Sequence, residues 1–128
     1  VLVAPPEEGP SYVDELPLAT TRFASYEWAE RLEGFTRRNE GRIATMEVID
    51  PDLGAQIENR SMPLLVVDFD PRDASVHFML GDATLDGQHL TRSIRGVTAV
   101  QVLRDRDGMD LMLRVAHGRG QTLLTLER

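Results

Sequence analysis

A chain of 128 residues, 41% hydrophobic and 27% charged, is long enough for one buried core and needs neither disulfide nor metal to hold it. It contains no cysteine, which excludes disulfides, thiol catalysis and zinc sites built on thiolate. A formal net charge of -7 argues against nucleic-acid binding, and no apolar run reaches the roughly 18 residues that span a bilayer.

Residues 1–21 read as an extended arm ahead of a single domain over 22–128. Pro5, Pro6, Pro10 and Pro17 turn the arm away from helix. Glu7, Glu8, Asp14 and Glu15, with no base among them, place over half of the net charge there. Leu2, Val3, Tyr12, Val13, Leu16 and Leu18 are sizeable and apolar but follow no regular period. A purely solubilising tail carries charge without such groups, so the arm is expected to lie on a partner surface with these residues as its contacts. The start of the chain has no basic flank and no sustained apolar segment, so it does not read as a signal peptide. The cytoplasm is the expected compartment.

The clearest helix follows. Ser25 is the expected N-cap, and Glu27 and Glu30 put negative charge in the first turns, where the helix dipole favours it. Trp28, Leu32 and Phe35 recur at i, i+4 and i+7 as one apolar stripe. Glu27 with Arg31 and Glu33 with Arg37 stand at i,i+4, and Asn39 or Gly41 can take the left-handed cap.

Beyond Gly41 the period becomes alternating. Strands are predicted at Arg42–Ile49, Leu64–Phe69, Val76–Leu80, His89–Ile94, Val97–Arg104, Met109–Val115 and Gln121–Leu126. Ala55–Asn59 is short and ambiguous, Leu64–Phe69 looks buried on both faces, and Gly81–Gly87 reads as loop. Arg106-Asp107-Gly108 and Gly118-Arg119-Gly120 are hairpin turns, the Asp-Gly pair suiting type I′. The expected fold class is α+β: one N-terminal helix packed on a strongly bent antiparallel sheet or small barrel of six to seven strands, since closure removes sheet edges.

Chemistry is sparse. His77, His89 and His117 show no pairing at metal-ligand spacing, and no metal, cofactor or catalytic set is expected. The run Asp105-Arg106-Asp107-Gly108-Met109-Asp110 has alternate acids like a calcium loop but lacks its later bidentate Glu, and reads as a turn. Asp68, Asp70 and Asp73 flank Pro71 in the same manner. No nucleophile elbow or phosphate loop is present, and all 14 basic residues are arginine. Arg92, Arg95, Arg104, Arg106, Arg114 and Arg119 fall in the last third of the chain, where cross-strand pairing with acids competes with formation of an arginine stripe.

The segment Tyr26-Glu27-Trp28 through Phe35-Thr36-Arg37-Arg38-Asn39-Glu40-Gly41 resembles the opening of an uncharacterised bacterial family of small domains of unknown function, with Asn39 where that pattern carries His. Thr45-Met46-Glu47-Val48, Asp52-Leu53-Gly54-Ala55-Gln56, Pro63-Leu64, Leu80-Gly81-Asp82 and His89-Leu90-Thr91 are similar to it as well. The resemblance covers roughly residues 22–127 and implies one compact α+β domain, with no activity to carry over.

The leading expectation is therefore a non-catalytic interaction module. It would be an accessory or scaffold subunit whose arm docks onto a protein partner or larger assembly, one at the periphery of a membrane complex included. The alternative is a small-molecule or enzyme site near a barrel mouth, using His77 and His89. A third is binding of anionic ligands or RNA by the C-terminal arginines.

Overall fold

The computed structural model describes residues 19–81 and 89–128, and residues 58–60 by backbone alone. The six apolar arm residues from Leu2 to Leu18, and the loop expected after Gly81, lie outside the described residues. β1 (Ala19–Arg22) leads through a 3-10 turn (Ser25–Glu27) into α1 (Trp28–Asn39). Then come β2 (Ile43–Asp50), β3 (Gly54–Asp70), β4 (Ser75–Gly81), β5 (His89–Ile94), β6 (Val97–Arg104), β7 (Asp110–His117) and β8 (Gly120–Leu126). Residues 19–21 pair with β6 and so belong to the sheet rather than to the arm the sequence predicts.

The α+β expectation holds, but the strand count and the barrel do not. Eight described strands form one sheet in the order β1-β6-β7-β8-β2-β3-β4-β5, open between the edge strands β1 and β5. β5 runs into β6 through Arg95 and Gly96 alone, yet β5 pairs with β4 while β6 pairs with β1 and β7. That short link, with Gly96 at φ 67°, carries the chain from one half of the sheet to the other without joining the edges.

The added strand is β1, and β3 is far longer than the sequence suggests. The sequence shows two segments separated by Arg60-Ser61-Met62-Pro63, whereas the backbone runs through all 17 residues. Ser61 at φ 55° and irregular register against Ala44 and Met46 bend the strand without ending it. A second register shift, between Leu64 and Val66, turns Leu64 and Val67 into the core. Leu65 and Val66 are only half-buried and Asp68 is exposed, so this segment is not buried on both faces.

α1 covers the outer half of β3 where β2 has run out. Thr36 Oγ1 donates to the Val67 carbonyl at 2.8 Å and accepts from the Val67 N–H at 2.9 Å, supplying the partner that a neighbouring strand would have given. Just before it, Gly41 N–H donates to the Leu64 carbonyl and Leu64 N–H to the Arg42 carbonyl, each at 2.8 Å. Trp28, Leu32 and Phe35 are buried as the stripe predicts. The Trp28 ring meets Phe69 edge-on at 5.3 Å, and its Nε1–H donates to the Phe23 carbonyl.

The helix start differs from expectation: the cap residue of the 3-10 turn is Ala24, and no side chain caps it or α1. The first turn is instead tied by Glu27 N–H to the Ala24 carbonyl. At the other end Gly41, at φ 90°, takes the left-handed position.

Candidate functional site

The outer face of α1 carries a second stripe. Glu27, the cap residue just before the helix, and Glu30, Arg31, Gly34, Arg37 and Arg38 within it are spaced by three and four residues and so align along one side. With Phe23 and Arg104 opposite, they line an open groove of about 310 Å³, in which four of the eight lining residues are arginine. The Arg31 guanidinium lies 5.2 Å from the Phe23 ring centroid and pairs with Glu27 at 3.6 Å. Arg37 pairs with Glu33 at 3.5 Å, both well exposed. Gly34 leaves the middle of the stripe without a side chain.

Beneath the groove sits a buried carboxylate. Asp110 opens β7, and its side chain is 2% exposed. It accepts from Arg38 Nε at 2.9 Å, Asn39 Nδ2 at 2.7 Å and Arg104 Nε at 2.9 Å. Burial raises its pKa, but these donors outweigh that effect and hold it below the ordinary carboxylate value. One carboxylate therefore orients two guanidiniums, Arg38 from the helix and Arg104 from β6. Arg42 extends the network, donating to Asn39 Oδ1 and to the backbone carbonyls of Asp110 and Glu127. Asn39, which departs from the resembling pattern, is thus a buried member of this junction.

The hairpin before Asp110 fixes its place. Asp105 N–H bonds to the Met109 carbonyl, and Gly108 N–H to the Asp105 carbonyl, each at 3.0 Å. Of Asp107 and Gly108 only Gly108 has positive φ, 84°. The turn is therefore a three-residue loop with a left-handed glycine rather than type I′, and the register shifts between Leu103 and Arg104. The Asp105 carboxylate accepts from the N–H groups of Met109 and Asp107. Those bonds, then the Arg128 guanidinium, hold its pKa down against burial. Among the described residues no group of three or more His, Asp and Glu could hold a metal ion.

The histidines lie elsewhere. His77 on β4 faces Ser93 on β5, and His89 faces Gly81, four positions further along the ladder. That separation is about 13 Å of strand, so the two do not share a site, and an open sheet offers no barrel mouth. His117 ends β7 beside the Thr122 hydroxyl, and burial followed by the Arg92 charge lowers its pKa. The late arginines are dispersed as well. Arg95 lies near Asp73 at 3.9 Å, Arg119 pairs with Asp52 at 3.5 Å, and Arg114 bonds to Gln101 and Gln121. Only Arg104 reaches the groove. Its companions Arg31, Arg37 and Arg38 stand out in the sequence only as helix-stabilising charges. The signal that could have grouped them is their common face with Gly34.

Fold and groove together define a small α+β domain in which one helix both seals a bent, open sheet and presents an arginine-lined face. The chain belongs to DUF5335, a family of unknown function whose family model matches residues 19–128. Comparison with curated proteins and with solved structures gave no match. No helix among the described residues is long and apolar enough to cross a membrane.

Proposed function

We propose that this chain is an interaction module, an accessory subunit that grips a carboxylate-bearing segment of a protein partner in the arginine groove and docks its acidic arm on the same assembly. The observation that supports this reading is the pair Arg38 and Arg104, aimed by one buried Asp110 into a groove that Arg31 and Arg37 also line. Guanidiniums already fixed in place lose less side-chain entropy on meeting a carboxylate, and their planar forks suit it. Glu27 and Glu30 line the groove, and Glu33 and Asp110 pair with its arginines, so a partner carboxylate competes with acids already present, which fits moderate, salt-sensitive binding.

The reading is tested by fluorescence anisotropy of the full chain with a labelled oligoglutamate peptide. Saturable binding that weakens as salt rises is expected, and Arg31→Gln with Arg37→Gln should lower affinity by about tenfold. These two side chains are exposed, so the fold survives their loss. Equal binding by the double variant would remove the groove from the proposal.

A further inference from the structure

A separate polar chain crosses the outer edge of the sheet, away from the groove. Ser75 and His77 are two apart on β4 and share a face, and Ser93 on β5 is the direct cross-strand partner of His77. Ser75 Oγ donates to Asp73 Oδ1, and His77 Nε2 stands 3.2 Å from Ser75 Oγ. His77 Nδ1 stands 2.7 Å from Ser93 Oγ. Ser75 is fully buried, His77 half-buried, and Ser93 exposed.

The donors can be assigned in order. A carboxylate only accepts, so the single hydroxyl hydrogen of Ser75 goes to Asp73. Ser75 can then only accept from His77, which puts the proton of the neutral ring on Nε2. Nδ1 is left with its lone pair facing the Ser93 hydroxyl. The polarity runs one way, Ser93 to His77 to Ser75 to Asp73. This is the arrangement of a hydroxyl, its general base and the groups that orient that base, with a buried serine inserted before the carboxylate.

We infer that Ser93 is an activated hydroxyl, an acyl-acceptor site for carboxylic esters with a good leaving group. Ser93 Oγ bonds to the ester carbonyl carbon as its proton passes to His77 Nδ1. The bond from that carbon to the leaving oxygen then breaks, and the leaving oxygen takes the proton from Nδ1. The products are acyl-Ser93 and an alcohol or phenol, with His77 neutral again. Ser75 and Asp73 are positioning residues: they fix the ring and stabilise the cation that forms. The surrounding face is open strand surface, which suits a small ester or an acyl group presented on an exposed carrier.

The probe is p-nitrophenyl acetate with the full chain, read by nitrophenolate release and by peptide mass spectrometry. One acetyl group on Ser93 is expected, formed about a hundredfold faster than in His77→Gln, the usual scale of general-base assistance. Ser93→Ala should carry no acetyl at this position and lose the matching release. Asp73→Asn should be slow while Asp73→Glu restores most of the rate, a recovery that simple support of the fold would not produce in this readout. Acetylation spread over other hydroxyls, or an undiminished rate in His77→Gln with an unchanged melting temperature, would overturn the assignment and leave the chain of bonds a strand-to-strand tie.

Discussion

Asp110 shows how much one side chain can decide. It is buried, yet it accepts from Arg38, Asn39 and Arg104, so its charge is compensated from the helix and from β6 at once. Removing it strands two guanidiniums that are only partly exposed, Arg38 at 46% and Arg104 at 25%. Asp110→Ala should cost about 3 kcal/mol, the low end for breaking a buried pair because both arginines keep some water. Denaturant unfolding measures it, and a loss under about 1 kcal/mol would show that the node is dispensable. The pH dependence follows from the same bonds. Asp110 and Asp105 both have lowered pKa values, and Arg72, through its side-chain hydrogen bond, holds Asp70 at about 2. A depressed carboxylate stabilises fully above its unfolded pKa of about 4, and that stabilisation is lost as pH falls through the lower folded value. Melting temperature should therefore fall as the pH drops below about 4, and less steeply in Asp110→Asn than in the parent chain. Trp28 is the apolar counterpart. Its indole is buried and bonded to the Phe23 carbonyl, so Trp28→Ala should cost about 3–5 kcal/mol by the same measurement.

At the scale of elements, the junction of α1 with β3 was half legible. Trp28, Leu32 and Phe35 announce the buried face because helical period is a local property. Thr36 announces nothing, since its role depends on Val67, 31 residues away, whose backbone has β4 on one side and no strand on the β2 side. Thr36→Val keeps the shape and removes both bonds, so about 1–3 kcal/mol should be lost as the Val67 groups go unpaired. An unchanged midpoint in urea would mean that water takes over. β3 itself was misread because Ser61 and Pro63 look like punctuation, and only the strands on either side show that the chain continues. Asp107-Gly108 signals a turn but not its length, which is set by the Asp105 carboxylate gathering two N–H groups. Gly120 carries a similar hidden constraint: a Cβ there would stand 2.5 Å from the Ile49 carbonyl oxygen. Gly120→Ala must push β8 from β2 and should lower stability by about 1–3 kcal/mol.

At the scale of the molecule, the open sheet replaces the expected barrel, and that changes where binding can occur. Closure would have offered barrel rims, whereas the open sheet offers edges and, as any helix-covered sheet does, an outer helix face. The arginine groove uses the second of these. It could not be read from the sequence, because it joins residues of α1 to Arg104, 66 positions beyond Arg38. The acidic arm was visible from composition alone, and its place in the proposed function rests on that reading. Ala19 and Thr20 pair with Arg104 and Leu103, so a cut after residue 18 preserves every described strand, whereas a cut after residue 20 removes two pairs of β1. The arm carries four acids and six sizeable apolar groups. Docking such a segment trades chain entropy for burial and charge contact, which gives a grip that rises with buried area and falls with salt. Deleting residues 1–18 should leave the melting temperature within a few degrees, because a contribution under about 1 kcal/mol shifts a domain of this size by no more. If the proposed docking holds, the same deletion should shift the chain to smaller size in size-exclusion chromatography of gently lysed source cells. Changing Glu7, Glu8, Asp14 and Glu15 to Gln should give part of that shift and remove its salt dependence. A truncated chain that unfolds would make the arm part of the core. One that stays on the assembly as firmly as the full chain would leave docking to the groove alone.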